Sequence, residues 1–167
     1  YKKTNHNKSE KDISVIFKKT SVRLSHLLNS EDRLLLPYIG HSSNAVAAVL
    51  RGSGIKCEAL PQPTNEAFAL GKRFTSGKEC LPMSVTIGNL LHYIYTNRLL
   101  EQNIKIYYFM PGSDGPCRFG NYHILDKLIL NNLGLQDKVS ILSTSDDELF
   151  EGMPSSLNAI IYLALIS

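Results

Sequence analysis

Short apolar runs alternate with amphipathic stretches along most of this 167-residue chain. The run RLLLPYIG (33–40) is compact and ends in glycine, which predicts a buried strand. HSSNAVAAVLRGSG follows and predicts a helix with Ser42 or Ser43 as N-cap and with glycines after its end. IKCEALP (55–61) then predicts a second strand, so these segments form a β-α-β unit with parallel strands and a right-handed crossover. We expect Ala45, Ala48 and Val49 to lie on one face of this helix.

The same alternation continues further along the chain. The strongest strand signal is IKIYYFMP (104–111), and KVSILS (138–143) predicts another strand. Helical spacing marks 64–74, 81–100 and 121–135, and the second of these has a stripe of Ile87, Leu90, Leu91 and Ile94. Strands that alternate with helices predict an α/β fold with an open, mainly parallel sheet and flanking helices, in a Rossmann-like or flavodoxin-like arrangement.

The two ends of the chain differ from its middle. Residues 1–33 hold eight Lys/Arg against four Asp/Glu, so the net charge of +3 belongs to a basic leader. We expect 1–33 to be this leader or linker, with a short strand at 13–17, and 34–167 to be the α/β domain. At 157–164 apolar residues at helical spacing run on without a stop signal. We therefore expect the domain to be cut within its C-terminal helix from a longer protein.

Composition excludes several classes of protein. An apolar fraction of 43% with 20% charged residues is typical of globular chains. No apolar run reaches the about 18 residues that a membrane helix needs, and no signal segment opens the chain. Basic residues interleaved with aromatics on one face, as in nucleic-acid-binding proteins, are missing. We therefore expect no membrane and no nucleic-acid partner. A cytoplasmic location suits the three cysteines, which are too few and odd in number for a disulfide framework.

Two of the cysteines lie in similar turns that contain glycine and proline. Cys80 ends the stretch GKEC and precedes Leu81 and Pro82, whereas Cys117 lies within GPCRFG. Each precedes a predicted helix, whose free N–H groups and positive dipole stabilise a thiolate or an anionic cluster. These features leave two interpretations of Cys80 and Cys117 open. They are either metal ligands or inert thiols that pack as small apolar groups. Cys57, in the middle of a predicted strand, is expected to be a core thiol.

Two longer stretches carry a family resemblance. GKRFTSGKECLPMSVTIGNLL and, further on, FMPGSDGPCRFGNYHILDKLILNNLGL resemble the large, multi-domain members of the CoA-substrate enzyme activase family, over roughly residues 34–150. That family is related to the activators and the cluster-bearing subunits of 2-hydroxyacyl-CoA dehydratases and benzoyl-CoA reductases. Its members hold 4Fe–4S clusters with cysteine thiolates. They pass single low-potential electrons, driven by ATP hydrolysis in a separate actin-like domain.

The resemblance implies a site and partners for this chain. Cys80 and Cys117 match the motif cysteines and would ligate a 4Fe–4S cluster, whereas Cys57 matches none. The residues that would shape the cluster loops are Gly77, Gly115, Pro116, Arg118 and Gly120. Electrons would pass toward a dehydratase- or reductase-type protein, with other domains of the same parent chain as further partners. The parent would be an ATP-driven activase or a reductase-like protein.

The chain also departs from the family pattern. It has no glycine-rich phosphate loop of the GxxxxGK[ST] kind and no actin-like ATP-binding elements. A cluster usually has four cysteine ligands, and two match here. We therefore expect the chain by itself to be inactive and free of iron, and its exposed apolar edge to favour a homodimer. The alternative is a non-redox α/β docking or scaffold domain with inert cysteines.

Charged residues beside the motif cysteines have two interpretations each. Arg118 either balances the negative charge of a cluster or pairs with a carboxylate such as Asp114. Lys78 and Glu79 either form a solvated loop or contact a partner or a CoA phosphate. The scattered histidines match no zinc pattern, and no G-x-S-x-G elbow predicts a hydrolase.

Overall fold

Four parallel strands form one open sheet in the computed structural model, which describes residues 22–146 and 149–151. The strands are β1 (Arg33–Leu36), β2 (Cys57–Ala59), β3 (Ile106–Phe109) and β4 (Val139–Leu142), and their order is β2-β1-β3-β4. In the register, Leu34 lies opposite Cys57 on one side and Tyr107 on the other. The predicted α/β fold with a parallel, flavodoxin- or Rossmann-like sheet is therefore confirmed.

Helices cover both faces of this sheet. They are α1 (His41–Gly52), α2 (Asn65–Lys72), α3 (Leu81–Thr96) and α4 (Tyr122–Asn132), with short 3-10 turns at Leu24–Leu27, Leu99–Glu101 and Arg118–Asn121. The helical stripe predicted after Cys80 is confirmed, because Ile87, Leu90, Leu91 and Ile94 are all fully buried. Within the described residues, no helix combines the length and apolar character needed to span a bilayer. The predicted strand at 13–17 and helix at 157–164 lie outside the described residues.

Strands β1 and β3 contribute side chains to two apolar cores, which explains their runs of apolar residues. Leu34 and Leu36 of β1 pack toward α1, whereas Leu35 between them packs toward α3 and α4. In β3, Tyr107 and Phe109 join the α1 side in the same alternation. Side chains of a strand point alternately to the two faces, so four consecutive apolar residues fill both cores.

The start and the buried face of α1 differ from the prediction. Gly40 is the N-cap, with a φ of 76°, and no side chain caps the helix. The Ser43 hydroxyl instead accepts the Ile39 N–H at 2.9 Å and donates to the Pro37 carbonyl at 2.7 Å, so it closes the turn after β1. The prediction of Ser42 or Ser43 as N-cap is wrong because the helix begins earlier, at His41. The buried residues of α1 are Ser43, Val46, Ala47 and Leu50, so the face shared by Ala45, Ala48 and Val49 is not its main buried face.

Helices α2 and α3 touch through their backbones. A Cβ atom built on Gly88 would lie 2.1 Å from the Ala67 carbonyl oxygen, and one on Gly71 would lie 1.8 Å from that of Ser84. Real Cβ contacts do not come this close, so only glycine fits at either position. This crossing fixes the direction of α3, whose first residue follows Cys80.

The segment before β1 packs on the α1 side of the sheet. Leu24 and Leu27 are buried in the core there, and the Leu24 N–H donates to the Leu149 carbonyl at 2.9 Å. Arg23 and Glu151 form an ion pair at 2.9 Å. Residues 22–27 and 149–151 therefore lie side by side against the sheet.

Candidate functional site

The fold brings both motif cysteines to the carboxyl edge of the sheet. Cys117 lies in the loop after β3, at the end where that strand finishes. Cys80 precedes α3, and α3 runs back toward the start of β3, so its N-terminus lies at the same edge. Open α/β sheets bind ligands at this edge. Two loops that are distant in sequence therefore meet on the α3–α4 side of the sheet.

Both cysteines occupy the same position relative to a helix. Cys80 is the N-cap of α3 (φ −62°, ψ 142°), and Cys117 is the N-cap of the 3-10 turn that continues into α4 (φ −77°, ψ 126°). Neither side chain makes a capping hydrogen bond. Cys80 is half-buried and Cys117 is exposed. Each sulfur thus stands free of its own helix, next to N–H groups and a dipole that favour a negative ligand.

A hydrogen bond joins the two loops directly. The Arg118 guanidinium donates from Nη1 to the Lys78 carbonyl oxygen at 3.0 Å. Arg118 follows Cys117, and Lys78 lies two residues before Cys80, so this contact holds the two cysteine loops together. Among the described residues the guanidinium has no ion pair with a carboxylate, Asp114 included. The sequence did not predict this bracing contact.

The side chain of Tyr122 lines a cavity together with Cys80. It begins α4 and is only 3% exposed, and its ring meets that of Phe119 edge-on with centroids 5.2 Å apart. Burial is the main cause that raises the pKa of Tyr122 to about 12, and the neighbouring Cys80 and Cys117 contribute to the shift. The site therefore includes a buried phenol next to Cys80.

A cavity of about 240 Å³ opens between these loops and is walled in part by Cys80, Met83, Arg118 and Tyr122. Pockets for drug-sized ligands usually have about 300–1,000 Å³. The smaller volume suits a compact group or a side chain from a partner. A second cavity, of about 70 Å³, lies between the ends of β1 and β3 and has mainly apolar walls that include Phe109. It brings no cysteine and no ionisable side chain to a ligand.

The motif glycines have different structural roles. A Cβ on Gly120 would lie 2.1 Å from the Ser113 carbonyl oxygen, so the 3-10 turn packs directly on the loop that holds Cys117. Gly77 (φ 84°) and Gly115 (φ 148°) have open space around them and adopt backbone angles that other residues avoid. Pro116 is exposed beside Gly115. The backbone angles of Gly77 and Gly115 form the turns of the two loops, and Gly120 allows the close packing on Ser113.

The base of the Cys117 loop is anchored on the turn after β4. The Thr144 hydroxyl accepts the Gly112 N–H at 2.9 Å and also donates to the Gly112 carbonyl. A Cβ on Gly112 would lie 2.0 Å from the Ser145 hydroxyl and 3.1 Å from the His123 ring. The sequence does not predict this role of Thr144, because Gly112 and Thr144 are brought together by the pairing of β3 with β4.

The loop before Cys80 carries its own hydrogen bonds. The Ser76 hydroxyl donates to both carboxylate oxygens of Glu79, at 3.0 and 3.1 Å. Backbone N–H groups and Ser76 lower the pKa of the Glu79 carboxyl, which is fully solvated. The Lys78 side chain is exposed. Ser76 and Glu79 therefore order this loop from within.

Cys57 differs from the other two cysteines in every respect. It is 1% exposed within β2, and burial raises the pKa of its thiol to about 12. Its carbonyl accepts a hydrogen bond from Arg51 at 2.9 Å. A buried, protonated thiol is neither a metal ligand nor a nucleophile at neutral pH.

A buried carboxyl lies one helical turn beyond Tyr122. Asp126 is 0% exposed, and neither of its oxygens has a hydrogen-bond partner in the part of the chain that the structure describes. Burial raises the pKa of Asp126 well above its ordinary value. The hydroxyl of Tyr108 on β3 is likewise buried without a hydrogen-bond partner, and the charge of Asp126 contributes to its raised pKa. Burial thus favours the neutral form of the Asp126 carboxyl.

No family model, curated protein or solved structure matches the chain. The fold by itself assigns no ligand, because the same fold serves many functions. Among the described residues, no group of three or more His, Cys, Asp or Glu side chains is placed to hold a metal ion. The site therefore offers two thiols, a phenol and a guanidinium.

Proposed function

We propose that this chain is an electron-transfer module whose Cys80 and Cys117 supply two of the ligands of an iron–sulfur cluster. The resemblance to the CoA-substrate enzyme activase family motivates the cluster and names its partner as a 2-hydroxyacyl-CoA dehydratase-type protein. One electron at a time would enter from a low-potential reductant and leave to that partner. No covalent bond to the protein forms or breaks in such a transfer.

The observation that carries the proposal is the convergence of two uncapped cysteines at two helix N-termini. The loops that hold them share the hydrogen bond from Arg118 to Lys78. Two inert thiols have no physical need for matching caps or for a brace between their loops. Cysteine thiolates are the usual ligands of iron–sulfur clusters, and free N–H groups beside the sulfurs stabilise the negative charge of such a centre.

The donor set fits a cluster in kind but supplies half of its ligands. A cluster held by cysteine thiolates usually takes four of them, and Cys57 is buried on another element. The remaining ligands would come from outside the described residues or from a partner. The second candidate is a non-redox docking domain, which is favoured by the lack of a third metal-binding side chain near the described pair.

Anaerobic reconstitution with iron and sulfide tests the proposal. We would load this chain, and a longer one that extends past Ser167, and measure iron, visible absorbance and the EPR spectrum. We expect little iron in the short chain and near-stoichiometric iron in the longer one. Cys80→Ser and Cys117→Ser should each lower the iron content at least twofold, whereas the control Cys57→Ser should leave it unchanged.

Two results would contradict the proposal. Iron that survives in both motif variants would show that these thiols are not ligands. No iron in either wild-type chain would favour the docking domain instead. Equal, near-stoichiometric iron in both chains would keep the cluster but show that this chain supplies all of its ligands.

A further inference from the structure

The cavity beside Cys80 has an apolar floor. Its volume is about 240 Å³. Met83 and Tyr122, which are 0% and 3% exposed, line it together with Leu125. Cys117 is not among the described residues that line it, so a molecule in this cavity would contact one motif thiol at most. The floor therefore suits the apolar part of a small ligand.

Arg118 brings an oriented positive charge to the same cavity. Its Nη1 donates to the Lys78 carbonyl oxygen at 3.0 Å, which restricts where the guanidinium can lie. Among the described residues no carboxylate forms an ion pair with it. A guanidinium has further N–H donors in one plane, and that arrangement matches the two oxygens of a carboxylate. The exposed side chain of Lys78 adds a second positive charge to the wall.

The one acidic side chain among the described residues that line the cavity already has a partner. Both carboxylate oxygens of Glu79 accept hydrogen bonds from the Ser76 hydroxyl, at 3.0 and 3.1 Å. The Glu79 carboxylate is therefore held by its own loop and not by Arg118. Since two cationic side chains share the wall with this single carboxylate, the cavity keeps a net positive charge.

We infer that this cavity binds a short-chain monocarboxylate, whose carboxylate pairs with Arg118 and whose apolar chain lies against Met83, Tyr122 and Leu125. Arginine and a carboxylate form two parallel, charge-assisted hydrogen bonds, which select for this group. Pockets for drug-sized ligands usually have about 300–1,000 Å³, and the smaller volume here favours a free acid of a few carbons over the end of a peptide. The acid binds the iron-free chain, so this site is independent of the proposed electron transfer.

Titration of the iron-free chain with butyrate tests this site. Amide resonances in ¹H–¹⁵N spectra should shift saturably within 78–83 and 118–125, with a Kd in the millimolar range for so small a ligand. Two other probes each lack one half of butyrate, since 1-butanol has the chain without the charge and acetate has the charge with little chain. Each should bind about tenfold more weakly, because it loses either the ion pair or the apolar contact. N-acetylleucine, which resembles the end of a peptide, should bind no tighter than butyrate.

Arg118→Gln removes the positive charge and should weaken butyrate binding about tenfold. The weak binding of 1-butanol should stay unchanged in this variant, which would show that the cavity is intact. The matched control is Arg98→Gln, because Arg98 is an exposed arginine just beyond the other end of α3. The control should bind butyrate as the wild type does.

The wild-type chain alone can refute the inference, whatever the variants do. Equal affinity for butyrate and 1-butanol, or no saturable shift with butyrate, would overturn it. Tighter binding of N-acetylleucine would overturn the assignment to a free acid. Unchanged butyrate affinity in Arg118→Gln, or an equal loss in Arg98→Gln, would overturn the role of the Arg118 guanidinium.

Discussion

Replacing Gly88 with alanine should destabilise the protein even though it improves a helix. Glycine in a helix interior costs about 1 kcal/mol relative to alanine, so Gly88→Ala would be stabilising on propensity alone. The new Cβ would, however, lie 2.1 Å from the Ala67 carbonyl, 2.7 Å from the Gly71 nitrogen and 2.9 Å from the Gly71 Cα. All three atoms are backbone, so no side chain can rotate away.

The magnitude follows from the distance that the helices must move. Ordinary contact begins at 3.4 Å, so α2 must retreat by about 1.3 Å from the 2.1 Å contact. Overpacking of this kind costs about 1–3 kcal/mol. A cost at the upper end, because the clash is with backbone, leaves a net loss of about 2 kcal/mol after the gain in propensity.

Urea unfolding followed by circular dichroism measures this loss. With an m-value of about 2 kcal/mol/M, the midpoint should fall by about 1 M at unchanged m. The matched control is Gly52→Ala at the end of α1, where a Cβ would meet nothing within 4 Å. That control should gain roughly 0.5 kcal/mol. A Gly88→Ala midpoint at or above that of the wild type would refute the backbone contact between α2 and α3.

Three further predictions concern residues near the site and in the core. Gly120→Ala should lower the free energy of unfolding by about 1–3 kcal/mol and reduce iron uptake on reconstitution, because its Cβ would displace the Ser113 carbonyl in the Cys117 loop. Unchanged iron uptake together with a wild-type urea midpoint would contradict this packing. Cys57→Ser should lower the free energy of unfolding by about 1 kcal/mol and leave metal binding unaltered, since the side chain is 1% exposed within β2. Loss of iron in this variant, with no loss in Cys80→Ser, would reverse the ligand assignment. Asp126→Asn should become more stable relative to the wild type as pH rises above about 4. The unfolded carboxyl ionises near pH 3.9, whereas burial raises the pKa of the folded one. Stability of the wild type should fall by up to about 1.4 kcal/mol per pH unit between the two pKa values, and parallel urea midpoints for both chains from pH 4.5 to 7.5 would show that Asp126 is ionised in the fold.

The pattern of apolar residues predicted the sheet, because parallel strands that are buried on both faces have continuous runs of apolar residues. The stretch IYYF of β3 and the stripe on α3 are apolar wherever the fold buries them. The start of α1 was predicted less well. Serine is a common N-cap, but the hydroxyl of Ser43 is used by the turn after β1, and this depends on where Pro37 and Ile39 lie in space. The positions of alanine residues also predict the buried face of a helix poorly, since alanine fits both buried and exposed positions.

The contacts of the site depend on the topology of the sheet. Short motifs around Cys80 and Cys117 predicted that each precedes a helix, because glycine, proline and helical spacing are local signals. Tyr122 lines a cavity with Cys80, and Thr144 binds Gly112, because the folded sheet brings these segments together. Neither residue could be predicted from its neighbours in sequence.

The hydrogen bond between the cysteine loops restricts the amino acid at one of its two positions far more than at the other. Its acceptor is the carbonyl of Lys78, which every amino acid carries, so the side chain at that position can change without loss of the bond. Its donor is a guanidinium, and few side chains reach as far with the same geometry. Saturation mutagenesis should therefore find position 78 permissive and position 118 restricted. If selection maintains this site, the amino acid at position 78 should vary freely, whereas position 118 should remain arginine.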